Sequence, residues 1–251
     1  MKTILVTGCS SGFGLEIARH FLARDWQVIA TMRTPNAEVL PPSERLRVLA
    51  LDVTDAASIR DAVEAAGPID VLVNNAGFGV ASPVEVAPLA AVRELFETNT
   101  FGTFAVTQAV LPQFRARKAG VVVNVTSSVT LKALPFISAY RASKAAVNAF
   151  TESLALELEP LGIRARLVLP GRSPETRFSS NAHARMFGMD HPAYAETVAK
   201  VFAGLQDTST PTTRVEDVAE AVWRAATDPS APMRIPAGAD AVAWAAEAVR
   251  M

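Results

Sequence analysis

Short apolar runs alternate with longer amphipathic segments along this chain. TILVTG (3–8), QVIATMR (27–33), RVLALDV (47–53), IDVLVNNAG (69–77), GVVVNVTS (120–127) and RARLVLPG (164–171) are nearly unbroken in Val, Ile and Leu. A strand with one wet face alternates apolar and polar residues; a strand covered on both faces does not. Between these runs, residues 12–24, 55–65, 88–116 and 138–160 repeat apolar positions at helical spacing. A further helix near 215–227 leads to a last strand, MRIPAG, at 233–238. Strands and helices in alternation predict an α/β fold with a parallel, doubly wound sheet flanked by helices.

The rhythm breaks once, at residues 172–214, a stretch of Pro, Ser, Asn and Met with one expected helix from Ala193 to Leu205. A long insertion after a strand's carboxyl end commonly serves function, because ligands bind at that edge. No repeat or interdomain linker interrupts the chain, so residues 1–251 are expected to form a single domain.

The 251 residues carry 24 Lys and Arg against 25 Asp and Glu, and half are hydrophobic. That supports a large core. No basic tract marks a nucleic-acid groove. No apolar run is long enough to span a bilayer, and MKTILV is too short for a signal peptide's apolar region. Cys9 is the only cysteine; intrachain disulfides are excluded and a reducing, cytoplasmic location is expected. Cys9 reads as a small filler rather than a redox switch, His20 as a surface residue of the first helix, and His183 and His191 as solvated residues of the insertion, with reach to a substrate as their other reading. Metal-ligand spacing and the Gly-x-Ser-x-Gly of serine hydrolases are both missing, so no catalytic metal is expected.

TGCSSGFG (7–14) joins the first strand to the first helix. Gly8, Gly12 and Gly14 permit a tight turn and close approach of backbone to a pyrophosphate at a helix N-terminus. In YRASK (140–144), Tyr140 and Lys144 share one helix face, one turn apart.

Six motifs occur in order: TGCSSGFG, NNAG (74–77), NTFG (99–102), TSS (126–128), YRASK and PG (170–171). In this the chain resembles the short-chain dehydrogenase/reductase family. The resemblance implies a Rossmann-like sheet, a nicotinamide cofactor, and hydride transfer between an alcohol and a ketone or aldehyde. It makes Tyr140 the general acid/base. Tyrosine titrates near 10, and bringing it near 7 takes roughly 4 kcal/mol. A cation about 4 Å away supplies on the order of 4 kcal/mol at an effective dielectric near 20. Lys144 is expected to be that cation and, by resemblance, to bond the nicotinamide ribose. The family places its serine 13 residues before the tyrosine and three after the strand asparagine, here Asn124. Both counts give Ser127 rather than Ser128. Asn99 matches the asparagine that links the lysine to a proton relay, and also reads as a helix-kinking polar residue.

The resemblance assigns cofactor contacts to Gly8, Ser10, Ser11, Gly12, Phe13, Gly14, Asp52, Val53, Asn75, Ala76, Gly77, Pro170 and Gly171, besides Tyr140 and Lys144. Asn74 has a partly structural reading. Asp52 matches the contact to the adenine amino group; its other reading is a cap for the next helix, which Thr54 or Asp55 serves better. The family's nicotinamide-binding threonine falls four residues after the glycine. Here that position is Glu175 and Thr176 follows, one residue late, so Thr176 is the match. The second strand ends in Met32, where an NAD-using relative carries an acid, and Arg33 follows. That pattern predicts NADP(H) over NAD(H).

Residues 7–127 are thus expected mainly to bind cofactor, and 127–214 to hold catalytic residues and a substrate loop. RFSSNAHARMFGMDHPAY (177–194) mixes Phe, Met and Tyr with few charges, which suggests a partly apolar small-molecule substrate. The alternative is a catalytically silent NADP(H)-binding sensor or scaffold; the intact Ser127, Tyr140 and Lys144 favour the enzyme. Val106, Ala109, Val110, Phe114, Ala146, Phe150 and Leu154 wrap more of two helices than one sheet face needs, and family members pair these helices. A homodimer or homotetramer is expected.

Overall fold

The computed structural model describes residues 1–176, 184–206 and 209–248. Seven parallel strands form the sheet: β1 (Thr3–Val6), β2 (Gln27–Met32), β3 (Leu46–Ala50), β4 (Val71–Asn74), β5 (Gly120–Val125), β6 (Ile163–Pro170) and β7 (Arg234–Ala237), in the order β3-β2-β1-β4-β5-β6-β7. The connecting helices are α1 (Gly12–Leu22), α2 (Ala56–Ala66), α3 (Leu89–Phe96), α4 (Gly102–Arg117), α5 (Ser138–Leu158), α6 (Ala195–Gln206), α7 (Val215–Thr227) and α8 (Ala239–Ala248).

The unbroken apolar runs have a direct cause: the sheet is covered on both faces. Ile4 and Val6 of β1 join Ile17 and Phe21 of α1 and Val218 and Val222 of α7 on one side. Leu5, between them, faces Val106, Val110, Phe114 and Leu154 of α4 and α5 on the other. Successive strand residues point to opposite faces, so both must be apolar.

Several elements differ from the sequence-based expectation. The strands stop one to three residues early at their carboxyl ends, where the chain peels away to build the site. The helix expected at 88–116 is interrupted by a π-turn at Glu97–Phe101. The C-terminal helix α8 was not anticipated, because its alanine-rich face gives little periodic contrast. His20 is no free surface residue: its ring packs edge-on to Trp223 at 6.0 Å and its Nε2 lies 3.3 Å from Glu220. Val106, Val110, Phe114 and Leu154 are buried within the subunit. They are therefore not surplus apolar surface but part of the core on that face of the sheet. Ala109, Ala146 and Phe150 remain half-buried.

Candidate active site

Strand order reverses between β1 and β4, so loops on either side part and leave a crevice at the carboxyl edge. Two of the motifs build its floor as one unit. Asn75 donates its side-chain amide to the carbonyls of Thr7 (2.9 Å) and Gly8 (3.2 Å). The Thr7 hydroxyl accepts the N–H groups of Asn75 (2.9 Å) and Ala76 (3.0 Å). Gly8 has φ +75°, and a Cβ there would lie 2.9 Å from the Ala76 Cα. A Cβ on Gly14 would fall 2.3 Å from the Gly8 carbonyl oxygen, so α1 starts pressed against the turn. Ser11 precedes α1 without a side-chain cap, which leaves the first helical N–H groups for a ligand. Ser10 is exposed, while Phe13 leans into the core. This cradle fits the pyrophosphate of a dinucleotide.

Met32 is buried at the end of β2, and Arg33 next to it is exposed. Asp52 accepts the N–H (2.9 Å) and hydroxyl (2.8 Å) of Thr54. The Thr54 N–H bond above all holds its carboxyl below the usual range; burial opposes, and the Arg33 charge assists. Asp55, not Asp52, caps α2. Val53 turns its side chain into the core beneath Gly102, where a Cβ would meet it at 2.7 Å.

Ser127, Tyr140 and Lys144 come together above β5. Tyr140 is buried and shares a hydrogen bond with the Ser127 hydroxyl, whose oxygen accepts the Val129 N–H at 3.3 Å. The neighbouring Ser128 hydroxyl is buried without a partner. One turn after Tyr140, Lys144 donates from Nζ to the Val125 carbonyl at 3.1 Å and lies beside Gly77, where a Cβ would sit 3.3 Å from Nζ. Burial pushes the Tyr140 hydroxyl up to about 12, partly offset by the Ser127 bond, and pushes the Lys144 ammonium down to about 8. In the chain by itself burial, not the lysine, is the leading influence on the tyrosine. Desolvation disfavours the charged form of each group, and at Tyr140 it outweighs the serine bond.

Asn99 is fully buried in the π-turn. Its amide donates to the carbonyl of Phe78 (2.9 Å) and the hydroxyl of Ser143 (3.1 Å), and its Oδ1 accepts the Phe78 N–H at 3.0 Å. The side chain thereby seats the loop after NNAG against α5. The extra residue of a π-turn rotates the helix beyond it relative to the helix before it. Asn74 has a structural place: it bridges Thr107 and Asn124 at 2.9 Å each, and Asn124 continues to Thr151 at 2.8 Å.

After Pro170 and Gly171 the chain turns at 173–176, where the Thr176 hydroxyl donates to the Ser173 carbonyl at 3.0 Å. Glu175 faces solvent and Thr176 is buried against Gly12, where a Cβ would lie 3.4 Å from the Thr176 Cβ.

Val80, Leu95, Phe78, Val129, Ile137 and Phe187 pack around Tyr140 as an apolar wall. Phe187 belongs to the insertion, and its N–H donates to the Ala81 carbonyl at 3.0 Å. Arg185 stacks over Phe78 at 4.1 Å and pairs with Glu94 at 3.0 Å. At the outer rim, Tyr194 meets Phe136 edge-on at 6.1 Å and bonds Glu85, with His191 Nε2 4.0 Å from the same carboxylate. His183 and residues 177–182 lie outside the described residues. Thr7, Leu95 and Phe187 carried no site assignment in the sequence; for Thr7 the signal was its place just before the first glycine. Among the described residues no three potential metal ligands cluster, and no helix is long and apolar enough to cross a membrane.

Residues 2–185 match the family model described as short chain dehydrogenase. The chain is 39% identical over 239 residues to the uncharacterized oxidoreductase YusZ of Bacillus subtilis, covering 90% of this chain and 85% of that one. It is 40% identical over 184 residues to retinol dehydrogenase 8 of Bos taurus, covering 68% of this chain and 58% of the relative. A short-chain dehydrogenase from Burkholderia cenocepacia, solved in complex with NADP, superposes with a TM-score of 0.79 at 27% identity, over 99% of this chain and 94% of the other. With the matched family model, the seven-stranded parallel sheet and the crevice at its switch point, the chain belongs to the short-chain dehydrogenase/reductase family of NAD(P)-dependent oxidoreductases.

Proposed function

We propose that the chain interconverts an apolar ketone or aldehyde with its alcohol, using NADP(H) in preference to NAD(H). The observation that carries this reading is the hydrogen bond between Ser127 and Tyr140 inside the apolar wall of Val80, Leu95 and Phe187. The bound cofactor supplies or accepts the hydride. Ser127 holds the substrate oxygen. Tyr140, whose proton burial retains well above neutral pH, delivers that proton to the oxygen in reduction and recovers it in oxidation. Lys144 orients the nicotinamide ribose and places a positive charge beneath the tyrosine. Asn99 acts through the Phe78 loop and Ser143. Gly8, Ser10, Ser11, Gly12, Phe13 and Gly14 hold the pyrophosphate; Arg33 takes a 2′-phosphate; Asp52 and Val53 line the adenine side; Ala76, Gly77, Pro170, Gly171 and Thr176 line the nicotinamide side. In this reading residues 7–127 mainly bind cofactor and 127–214 act on substrate, in a reducing, cytoplasmic setting.

Among the described residues, the charged side chains against the wall around Tyr140 include Arg185, which Glu94 neutralises, and Arg141, which the Val129 and Thr130 carbonyls hold at 2.9 and 3.4 Å. Burying an apolar substrate there gains roughly 25 cal/mol per Å², while a charged one must shed its water. That the Bos taurus relative is named for retinol accords with an apolar substrate. The test is NADPH oxidation with matched apolar and anionic ketones, and the reverse reaction with the alcohols. Apolar compounds are expected to lead by at least about tenfold in kcat/KM, about 1.4 kcal/mol. Turnover confined to anionic substrates, or absent across the panel while NADPH binds, overturns the proposal.

A further inference from the structure

A buried carboxylate lies behind the turn that follows β6. Asp240, in the first turn of α8, is 7% exposed. Its Oδ2 accepts the Arg172 N–H at 2.6 Å, and its Oδ1 accepts the Thr213 hydroxyl at 2.6 Å. Thr213 is itself buried; its hydroxyl oxygen accepts the Gly171 N–H at 3.0 Å, and its own N–H donates to the Arg172 carbonyl at 2.8 Å. Two consecutive N–H groups of the Pro170–Gly171–Arg172 turn therefore end on one carboxylate, one directly and one through Thr213.

The packing leaves no slack. A Cβ on Gly171 would fall 2.1 Å from Asp240 Oδ1, and one on Gly238, where φ is +95°, would fall 2.0 Å from the Thr213 hydroxyl oxygen. Arg172 extends the connection outward: its guanidinium donates to the Leu205 carbonyl at 2.6 Å and the Thr210 hydroxyl at 3.1 Å. The residue held at its N–H by Asp240 thus holds the far root of the insertion by its side chain. A carboxylate suits this place because its two oxygens accept from an N–H and an O–H at once and demand no donor in return. The start of a helix favours the negative charge.

We propose that Asp240 is a positioning residue that sets the Pro170–Gly171–Arg172 turn on the nicotinamide side of the site and, through Arg172, the root of the substrate insertion. This rests on the reading of the site as one that binds NADP(H). The rival is a carboxylate that only stabilises the fold.

The experiment uses the full chain and compares Asp240→Leu, Asp240→Asn and Thr213→Val with wild type. NADPH affinity is read from nicotinamide fluorescence, alongside kcat and KM for NADPH and for ketone, and Tm. Asp240→Leu is expected to raise the NADPH Kd and both KM values at least tenfold, with a smaller loss in kcat. Asp240→Asn is expected to restore most of this: its oxygen can accept the Arg172 N–H while its amide donates to Thr213, whose proton then goes to the Ala237 carbonyl, 2.9 Å away. Thr213→Val, which removes the hydroxyl between Gly171 and Asp240 but leaves the direct bond from the Arg172 N–H to the carboxylate, is expected to shift Kd in the same direction by less, and it decides the matter if Asp240→Leu does not fold. Variants that lower Tm but keep the wild-type Kd and KM overturn the proposal and leave the site's reading intact. A wild-type chain that binds no NADPH overturns both.

Discussion

Lys144 donates its ammonium to the backbone carbonyl of Val125 at 3.1 Å, one helical turn beyond Tyr140. The ammonium is buried, and its pKa is pushed down to about 8 against an ordinary 10.5. The unfolded chain therefore binds the proton more tightly than the folded one. At pH 7 the folded protein carries the full cost of a buried cation, and that cost starts to fall as pH rises past about 8 and is gone only above the ordinary 10.5. Lys144→Met is accordingly expected to melt higher at pH 7, by up to about 3 kcal/mol of stability, while losing at least about 10² in turnover. Thermal melts at pH 7 and pH 10 check this: the advantage should shrink at pH 10. A lower Tm at both values refutes it.

The same depressed lysine predicts the pH profile of the native enzyme. Tyr140 keeps its proton to about 12, so it does not limit reduction near neutrality. Lys144 loses its charge through about 8. We expect kcat/KM for reduction to be level from about pH 6 to 7 and to fall as pH passes the lysine's value. A profile flat to pH 10 removes the charge of Lys144 from the mechanism.

Tyr140→Phe deletes only the hydroxyl that meets Ser127. It should fold, bind NADPH as wild type does, and lose at least about 10² in kcat. Most of the activity surviving in the purified variant contradicts a proton-transfer role.

Met32 is buried at the end of β2 and Arg33 is exposed beside it. A guanidinium grips a phosphate through paired hydrogen bonds, and an acid at the strand end would instead bind a ribose hydroxyl and repel phosphate. Wild type should favour NADPH over NADH at least about tenfold in kcat/KM, and Met32→Asp with Arg33→Ala should abolish or reverse that. A wild-type preference for NADH refutes the assignment.

On the outer face of α4 and α5, Phe104 and Phe150 stack with ring centroids 3.7 Å apart, both half-buried, and Phe101 is 56% exposed. We expect this face to pair with a second copy, giving a dimer or tetramer. Light scattering that returns 26.6 kDa at micromolar concentration overturns it.

The chain's own pattern determined the α/β alternation, the double coverage of the sheet and the place of the glycine turn, because these arise from local periodicity and from what glycine alone permits. The family resemblance pointed to Ser127 over Ser128, and in the structure Ser127 is the one that meets Tyr140. Tertiary structure decided what spacing cannot carry. Whether Tyr140 titrates high or low depends on how much water reaches it, a property of the Val80, Leu95 and Phe187 wall drawn from three distant segments. The π-turn that seats Asn99 against Phe78, and the turn at 173–176 that buries Thr176 against Gly12, are placements that linear counting does not reveal. Asp240 stayed unassigned because its partners, Arg172 and Thr213, are 68 and 27 residues away and only the folded chain brings them to one carboxylate.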